Sequence, residues 1–196
     1  VGIDRLFTLR TVEDTLKLRE FIQQHHPRSA VLAGGGFIGI ELVENLRELG
    51  LDVTVVQRPK QLLNPLDADM AAFLHAQLRQ KGVRLHLGRT VEGFAADGDR
   101  VDVLIKDEAP LTADMVVLAI GVTPDTQLAR DAGLELGIKG SIVVNDRMET
   151  SAPDIYAVGD AVQVKHFVTG QDTLLSLAGP ANKQGRIAAD NICGGD

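Results

Sequence analysis

SAVLAGGGFIGIELVENLRELGLDVTVVQ, residues 29–57, decides the fold. The run Ala30–Ala33 is short, apolar and bounded by glycines, so it reads as a buried strand. Phe37–Leu49 carries helical periodicity and stops at Gly50, a residue favoured just past a helix end. Leu51–Val56 is β-branched and reads as a second strand. Strand, helix and strand within about 30 residues make one parallel crossover, and such crossovers are right-handed. Gly34-x-Gly36-x-x-Gly39 sits at the turn from strand to helix. There the first glycine allows a tight turn, the second lets backbone approach a pyrophosphate, and the third lets helix pack on strand.

Gly34, Gly35, Gly36, Phe37, Ile38 and Gly39 are therefore the expected phosphate cradle of a dinucleotide. The free N–H groups at the helix start would face the phosphates, and the helix dipole favours their charge. Packing alone could also require a glycine-rich turn. An acidic residue about 20 positions on commonly holds the adenine ribose 2′-hydroxyl. Here the second strand runs into Gln57-Arg58-Pro59-Lys60, with two cations and no carboxylate. Arg58 can pair with a 2′-phosphate in a forked geometry, which points to NADPH or to use of both coenzymes. Alternatively, Arg58 and Lys60 are solvated loop charges. Glu41 lies two residues past the last glycine, where plain solvent exposure is the ordinary reading.

The remaining chain extends an α/β pattern. Val12–Gln24 is amphipathic, with Thr11 and Asp14 as an N-cap pair. Asp67–Gln80 predicts another helix, ended by Gly82, and Val83–Leu87 a third strand. Residues 90–106 switch to period-two alternation around Asp97-Gly98, a hairpin signal. Met115–Ile120 reads as a buried strand ending at Gly121. Beyond it the composition shifts toward turns, so a boundary is expected near residue 122. Two short strands, Ile142–Val144 and Ile155–Val158, precede a final helix from about Gly179 to Cys193.

Composition narrows the function classes. A net charge of −7 argues against nucleic acid as a partner, because that affinity rests on Lys and Arg. No apolar run approaches the roughly 20 residues of a membrane helix, and the opening VGIDRLFTLR lacks signal-peptide order, so a cytoplasmic protein without a membrane partner is expected. The single cysteine, Cys193, excludes a disulfide, a dithiol pair or a multi-cysteine metal site within this chain. It falls in the last turn of a predicted helix with no cation fixed beside it, and a structural role is expected. His25, His26, His75, His86 and His166 show no metal-ligand spacing, so no metal is expected.

Together, GGGFIGIE (34–41), GVTPDTQL (121–128), TSAPDIYAVGDA (150–161) and LAGPANKQGRIAADNI (177–192) resemble the pyridine nucleotide-disulfide oxidoreductases, most of all their branch of coenzyme A-disulfide reductases, NADH oxidases and polysulfide reductases. The resemblance spans nearly the whole chain. It implies an α/β fold: a Rossmann-like, three-layer nicotinamide-binding domain with a β-hairpin or meander insertion, plus a partial FAD-domain segment. Residues 1–28 would be a connecting segment with a helix, 29–121 the NAD(P)-binding domain, and 122–196 the returning, incomplete part of the FAD domain.

The family's acidic residue maps to Asp160, which would bond the flavin ribityl chain, with Gly159 and Ala161 close to the cofactor. Ala178 and Gly179 would lay backbone against the flavin ring, although a cap or turn role for Asp160 is the plainer reading of that residue alone. Glu41 would lie near the nicotinamide carboxamide. Ile120, Gly121 and Val122 would line the path between nicotinamide and flavin, and Gly39 and Gly121 would let the ring lie flat. The family's first flavin glycine loop, its redox cysteine and its dimerisation domain have no counterpart here. The resemblance thus implies part of a larger, homodimeric enzyme using NAD(P)H and FAD to reduce a small-molecule acceptor. A non-catalytic nucleotide-sensing module and a ferredoxin-reductase-like flavoprotein without a redox cysteine remain open alternatives.

Overall fold

A computed structural model describes residues 2–195. The chain divides into two compact units, Val1–Gly121 and Val122–Asp196.

The first unit opens with β1 (Leu6–Thr8) and α1 (Val12–His25). Thr11 starts α1 with a full capping box: its hydroxyl accepts from the Asp14 N–H at 3.2 Å, while the Asp14 carboxylate accepts from the Thr11 N–H at 3.2 Å. Then come β2 (Ser29–Ala33), α2 (Phe37–Glu48), β3 (Asp52–Gln57), α3 (Ala68–Gln80) and β4 (Arg84–Leu87). An antiparallel meander follows, β5 (Val91–Asp97), β6 (Arg100–Ile105) and β7 (Leu111–Ala113), and β8 (Met115–Leu118) returns to the main sheet. That sheet is wholly parallel, in the order β1-β8-β2-β3-β4.

The unit has three layers because the parallel strands bury both faces. Ala30, Leu32, Val53, Val55, Met115 and Val117 meet Leu18 and Phe21 of α1, Leu42, Val43 and Leu46 of α2, and Leu78 of α3. Their alternates Val31, Val56 and Val116 meet Val101, Val103 and Ile105 of β6 and Ala113 of β7. Continuous apolar runs in the sequence thus resolve into two faces, one for helices and one for the meander.

Several expectations shift. Residues 6–25 do not stand apart as a connector: β1 pairs with β8, and α1 buries Leu18 and Phe21 in the same core as β2. Asp97 pairs with Arg100, so the two-residue hairpin loop is Gly98-Asp99 rather than Asp97-Gly98, with Gly98 at φ +57°. Of the expected hairpin or meander, the insertion is a meander: its third strand, β7, has only three residues, too few to carry a period of its own.

The second unit holds α4 (Gln127–Asp131), β9 (Ile142–Val143), a 3-10 turn at Gly159–Ala161, β10 (Val162–Lys165), β11 (Asp172–Thr173) and α5 (Ala178–Ile192). β10 is central, parallel to β9 and antiparallel to β11. The expected strand Ile155–Val158 is reduced to a single bridge between Tyr156 and Glu149. Met148 (φ +65°) and Asp154 (φ +60°) are left-handed, and these bends stop the ladder on either side. Buried apolar side chains in this unit are Ala129, Met148, Val162 and Ala188, a thin core. No helix among the described residues is long and apolar enough to cross a membrane.

Candidate functional site

In the parallel sheet, β2-α2-β3-α3-β4 winds in one direction, while β8 and β1 lie on the other side of β2. The carboxyl ends of β2 and β8 therefore form a topological switch point, the place where open α/β sheets leave a crevice for ligands. Gly34–Gly36 leave β2 at that point, and Ala119 leaves β8 beside them, its N–H donating to the Ala33 carbonyl at 2.8 Å.

The glycines divide sharply by what surrounds them. Gly34 has φ +114°, and an added Cβ would lie 2.2 Å from the Ala119 carbonyl oxygen. A Cβ on Gly35 would meet Leu62 Cδ2 at 2.2 Å, and one on Gly39 would meet the Gly34 carbonyl oxygen at 2.3 Å. These three are closed by the protein's own atoms. Gly39's missing side chain is thus required by helix-on-strand packing. Gly36 is different: no atom lies within 4 Å of where its Cβ would be.

Gly36 is also the N-cap of α2, and no side chain caps it. Its carbonyl accepts the first helical bond, from Ile40 at 3.0 Å. The first turn, which includes the exposed side chains of Phe37 and Ile38, carries no acidic residue. Uncapped N–H groups, a positive dipole end and open space at the bare Gly36 together suit an anion such as a pyrophosphate. Glu41 is exposed further along α2 and makes no ion pair among the described residues.

Gln57, at the end of β3, turns its side chain into the loop instead of outward: its Oε1 accepts from the Gly35 N–H at 2.9 Å. Leu63 N–H donates to the Gly35 carbonyl at 2.9 Å, so Gly35 is held from both sides. Leu62, fully buried over Gly35, gives its own N–H to His75 Nε2 at 3.1 Å. Burial, and then the charge of Arg79, holds the His75 pKa below its ordinary value, in keeping with a neutral ring that accepts. Leu62, His75 and Ala119 were missed from sequence, since none belongs to a recognisable pattern. Arg58 and Lys60 are exposed, and neither forms an ion pair among the described residues.

At the end of β8, Ile120 is 78% exposed, and Gly121 is open with φ +121°. Val122, in the second unit, is also exposed. In that second unit the 3-10 turn Gly159–Ala161 packs on α5. Gly159 has φ +83°, and its N–H donates to the Oε1 of the buried Gln184 at 2.7 Å. Asp160 is exposed in the same turn. Ala178 is the first residue of α5, followed by Gly179; both are exposed, the helix start is uncapped and its first turn has no acid. The structure therefore brings Asp160's turn and α5 together through Gln184, a residue that lies within the 177–192 motif but carries no expected role there.

Cys193 is exposed at the C-cap of α5. His25 stacks on Phe21 with ring centroids 4.4 Å apart. Among the described residues, no three His, Cys, Asp or Glu side chains group as metal ligands.

A family model described as pyridine nucleotide-disulphide oxidoreductase matches residues 2–185. An NADH oxidase of Methanocaldococcus jannaschii is 37% identical over 193 residues, covering 98% of this chain and 43% of that protein. The crystal structure of reduced Bacillus anthracis CoADR-RHD superimposes with a TM-score of 0.92 at 46% identity, over 98% of this chain and 34% of that one. An FAD-dependent pyridine nucleotide-disulphide oxidoreductase from Desulfovibrio vulgaris gives a TM-score of 0.85 at 37% identity, over 99% of this chain and 49% of that one. The chain thus spans less than half the length of the relatives it matches.

Proposed function

The chain belongs to the pyridine nucleotide-disulphide oxidoreductase family, and from that premise we propose that its first unit binds NAD(P)H for a flavoenzyme passing hydride from NAD(P)H to FAD and on to a disulfide, persulfide or oxygen. One observation carries the reading. Around Gly34, Gly35 and Gly39 the protein fills every space a side chain would need, but at Gly36, on the uncapped start of α2, it leaves the space open. That is the shape and polarity a pyrophosphate requires.

In this reading the N–H groups from Gly36 to Gly39 hold the pyrophosphate, and Gln57 fixes the loop that presents them. Arg58 offers its fork to a 2′-phosphate. Glu41 serves the nicotinamide carboxamide, and Ile120 and Gly121 provide an apolar, uncrowded end to β8. In the second unit Asp160 bonds the flavin ribityl chain, with Gly159, Ala161, Ala178 and Gly179 presenting backbone to the same cofactor. The thin core of that unit supports its reading as part of a larger flavin domain. The greater length of the relatives leaves room for the rest of that domain and for a dimerisation domain in the parent. The bound nicotinamide and flavin supply the redox chemistry; this chain's residues bind and orient them.

Calorimetric titration of the chain with NADH and NADPH tests the proposal. Binding of at least one coenzyme below millimolar concentration is expected, weakened at least about tenfold by G36V with little change in Tm. A chain that binds neither coenzyme at millimolar concentration overturns it.

A further inference from the structure

The ends of β3 and β4 are laced together by backbone. Gly88 N–H donates to the Pro59 carbonyl at 2.9 Å, and Arg89 N–H donates to the Gln57 carbonyl at 3.0 Å. Arg89 therefore lies just past β4, its backbone tied to Gln57, the residue before Arg58. Lys60 joins them: its Cγ would lie 3.5 Å from a Cβ on Gly88. Three cations, Arg58, Lys60 and Arg89, thus lie in the segments that leave β3 and β4, at the sheet end where the ribose of a dinucleotide is read, while Gln57's side chain points into the glycine loop.

Only one of the three has an acidic partner among the described residues. Arg89 Nε forms a close ion pair with Glu108, which sits in the turn between β6 and β7 and follows Asp107 at φ +58°. The meander, an insertion into the parallel sheet, thus delivers a carboxylate to the coenzyme end of β4. Both side chains are partly exposed, at 47% and 35%, and such pairs add little to stability. A phosphate monoester carries about −1.5 to −2 charges near pH 7 and three strong acceptors, so it competes well with a single carboxylate for a guanidinium.

We propose that Arg89 is a second coenzyme-discriminating cation beside Arg58, and that Glu108 is its built-in counter-ion. Glu108 holds Arg89 when no 2′-phosphate is present and yields it when NADPH binds, which tempers the preference for NADPH and lets NADH compete. The inference rests on the reading of the first unit as the coenzyme site.

The test is the ratio of NADPH to NADH affinity, by titration of the full chain and its R89A, R89K, E108Q and R89A/E108Q variants. R89A is expected to weaken NADPH about five- to tenfold with NADH unchanged, and R89K to restore part of the loss. E108Q is expected to strengthen NADPH about three- to tenfold, and only while Arg89 is present, so the double variant behaves as R89A does. If the wild type binds coenzyme but R89A leaves the ratio unchanged, or shifts both affinities equally, the inference fails and the coenzyme site stands. If the wild type binds neither coenzyme, both fail together.

Discussion

A side chain on Gly34 would drive its Cβ to within 2.2 Å of the Ala119 carbonyl oxygen, so the turn out of β2 and the end of β8 touch backbone to backbone. The partner is a backbone carbonyl just past β8, whose residue is hydrogen-bonded to Ala33 through its N–H, and it cannot swing aside. Gly34 also holds φ +114°, which costs any L side chain. G34A is therefore expected to lose about 3 kcal/mol or more of stability. G36A, at φ −81° with free space, is expected to lose at most about 1 kcal/mol yet to weaken coenzyme binding. Urea unfolding and coenzyme titration of the two variants separate these effects. Equal stabilities would contradict the geometry.

Gln57 supplies the second check. Its carbonyl oxygen is the partner of the Gly35 N–H, and in Q57L that buried donor loses its acceptor at a cost of about 1–2 kcal/mol. On the proposed function the loop serves both coenzymes alike, so Q57L is expected to weaken NADH and NADPH by the same factor, and R58A to weaken NADPH alone. A selective effect of Q57L would place Gln57 at the ribose instead of behind the loop.

The pH dependence of stability follows from His75. Its folded pKa is depressed, first by burial and then by Arg79, so the unfolded chain binds more protons than the folded one just below pH 6.5. Stability is therefore complete above about pH 6.5 and declines as pH falls from there toward the depressed folded value. H75Q keeps an acceptor for the Leu62 N–H but does not titrate. Thermal melts between pH 7.5 and 5.5 are expected to show a shallower decline in Tm for H75Q than for the wild type. Parallel declines would remove His75 as the cause.

The difference between Gln57 and Gly36 shows what the sequence made legible. Gly36 was readable because a single chemical need, bare backbone at a helix start after a strand, has one spacing and one residue type. The parallel sheet followed from strand, helix and strand lengths in the same way. Gln57 was located at the right strand end, but whether its amide points outward or into the loop depends on a bond to Gly35, 22 residues earlier. β1 and β7, at three residues each, exist because long-range neighbours pair with them, and no local period announces that. Ile155–Val158 shows the reverse: it has a strand's composition, yet left-handed residues at positions 148 and 154 leave it one bridge.

Gln184 offers the last check, on the second unit. It is buried, 25 residues from Gly159, and its Oε1 accepts from the Gly159 N–H at 2.7 Å. Gly159, left-handed at φ +83°, begins the turn that carries Asp160. In Q184L the amide is left unpaired, and the turn is expected to loosen from α5, with a cost of about 1–2 kcal/mol. Q184E keeps an acceptor and should cost less. Since the turn, not the first unit, is disturbed, the proposed function expects Q184L in the full-length protein to lower flavin retention after gel filtration while leaving NADH affinity of the first unit unchanged. Loss of coenzyme binding with flavin retained would show that Gly159–Gln184 does not serve the flavin side.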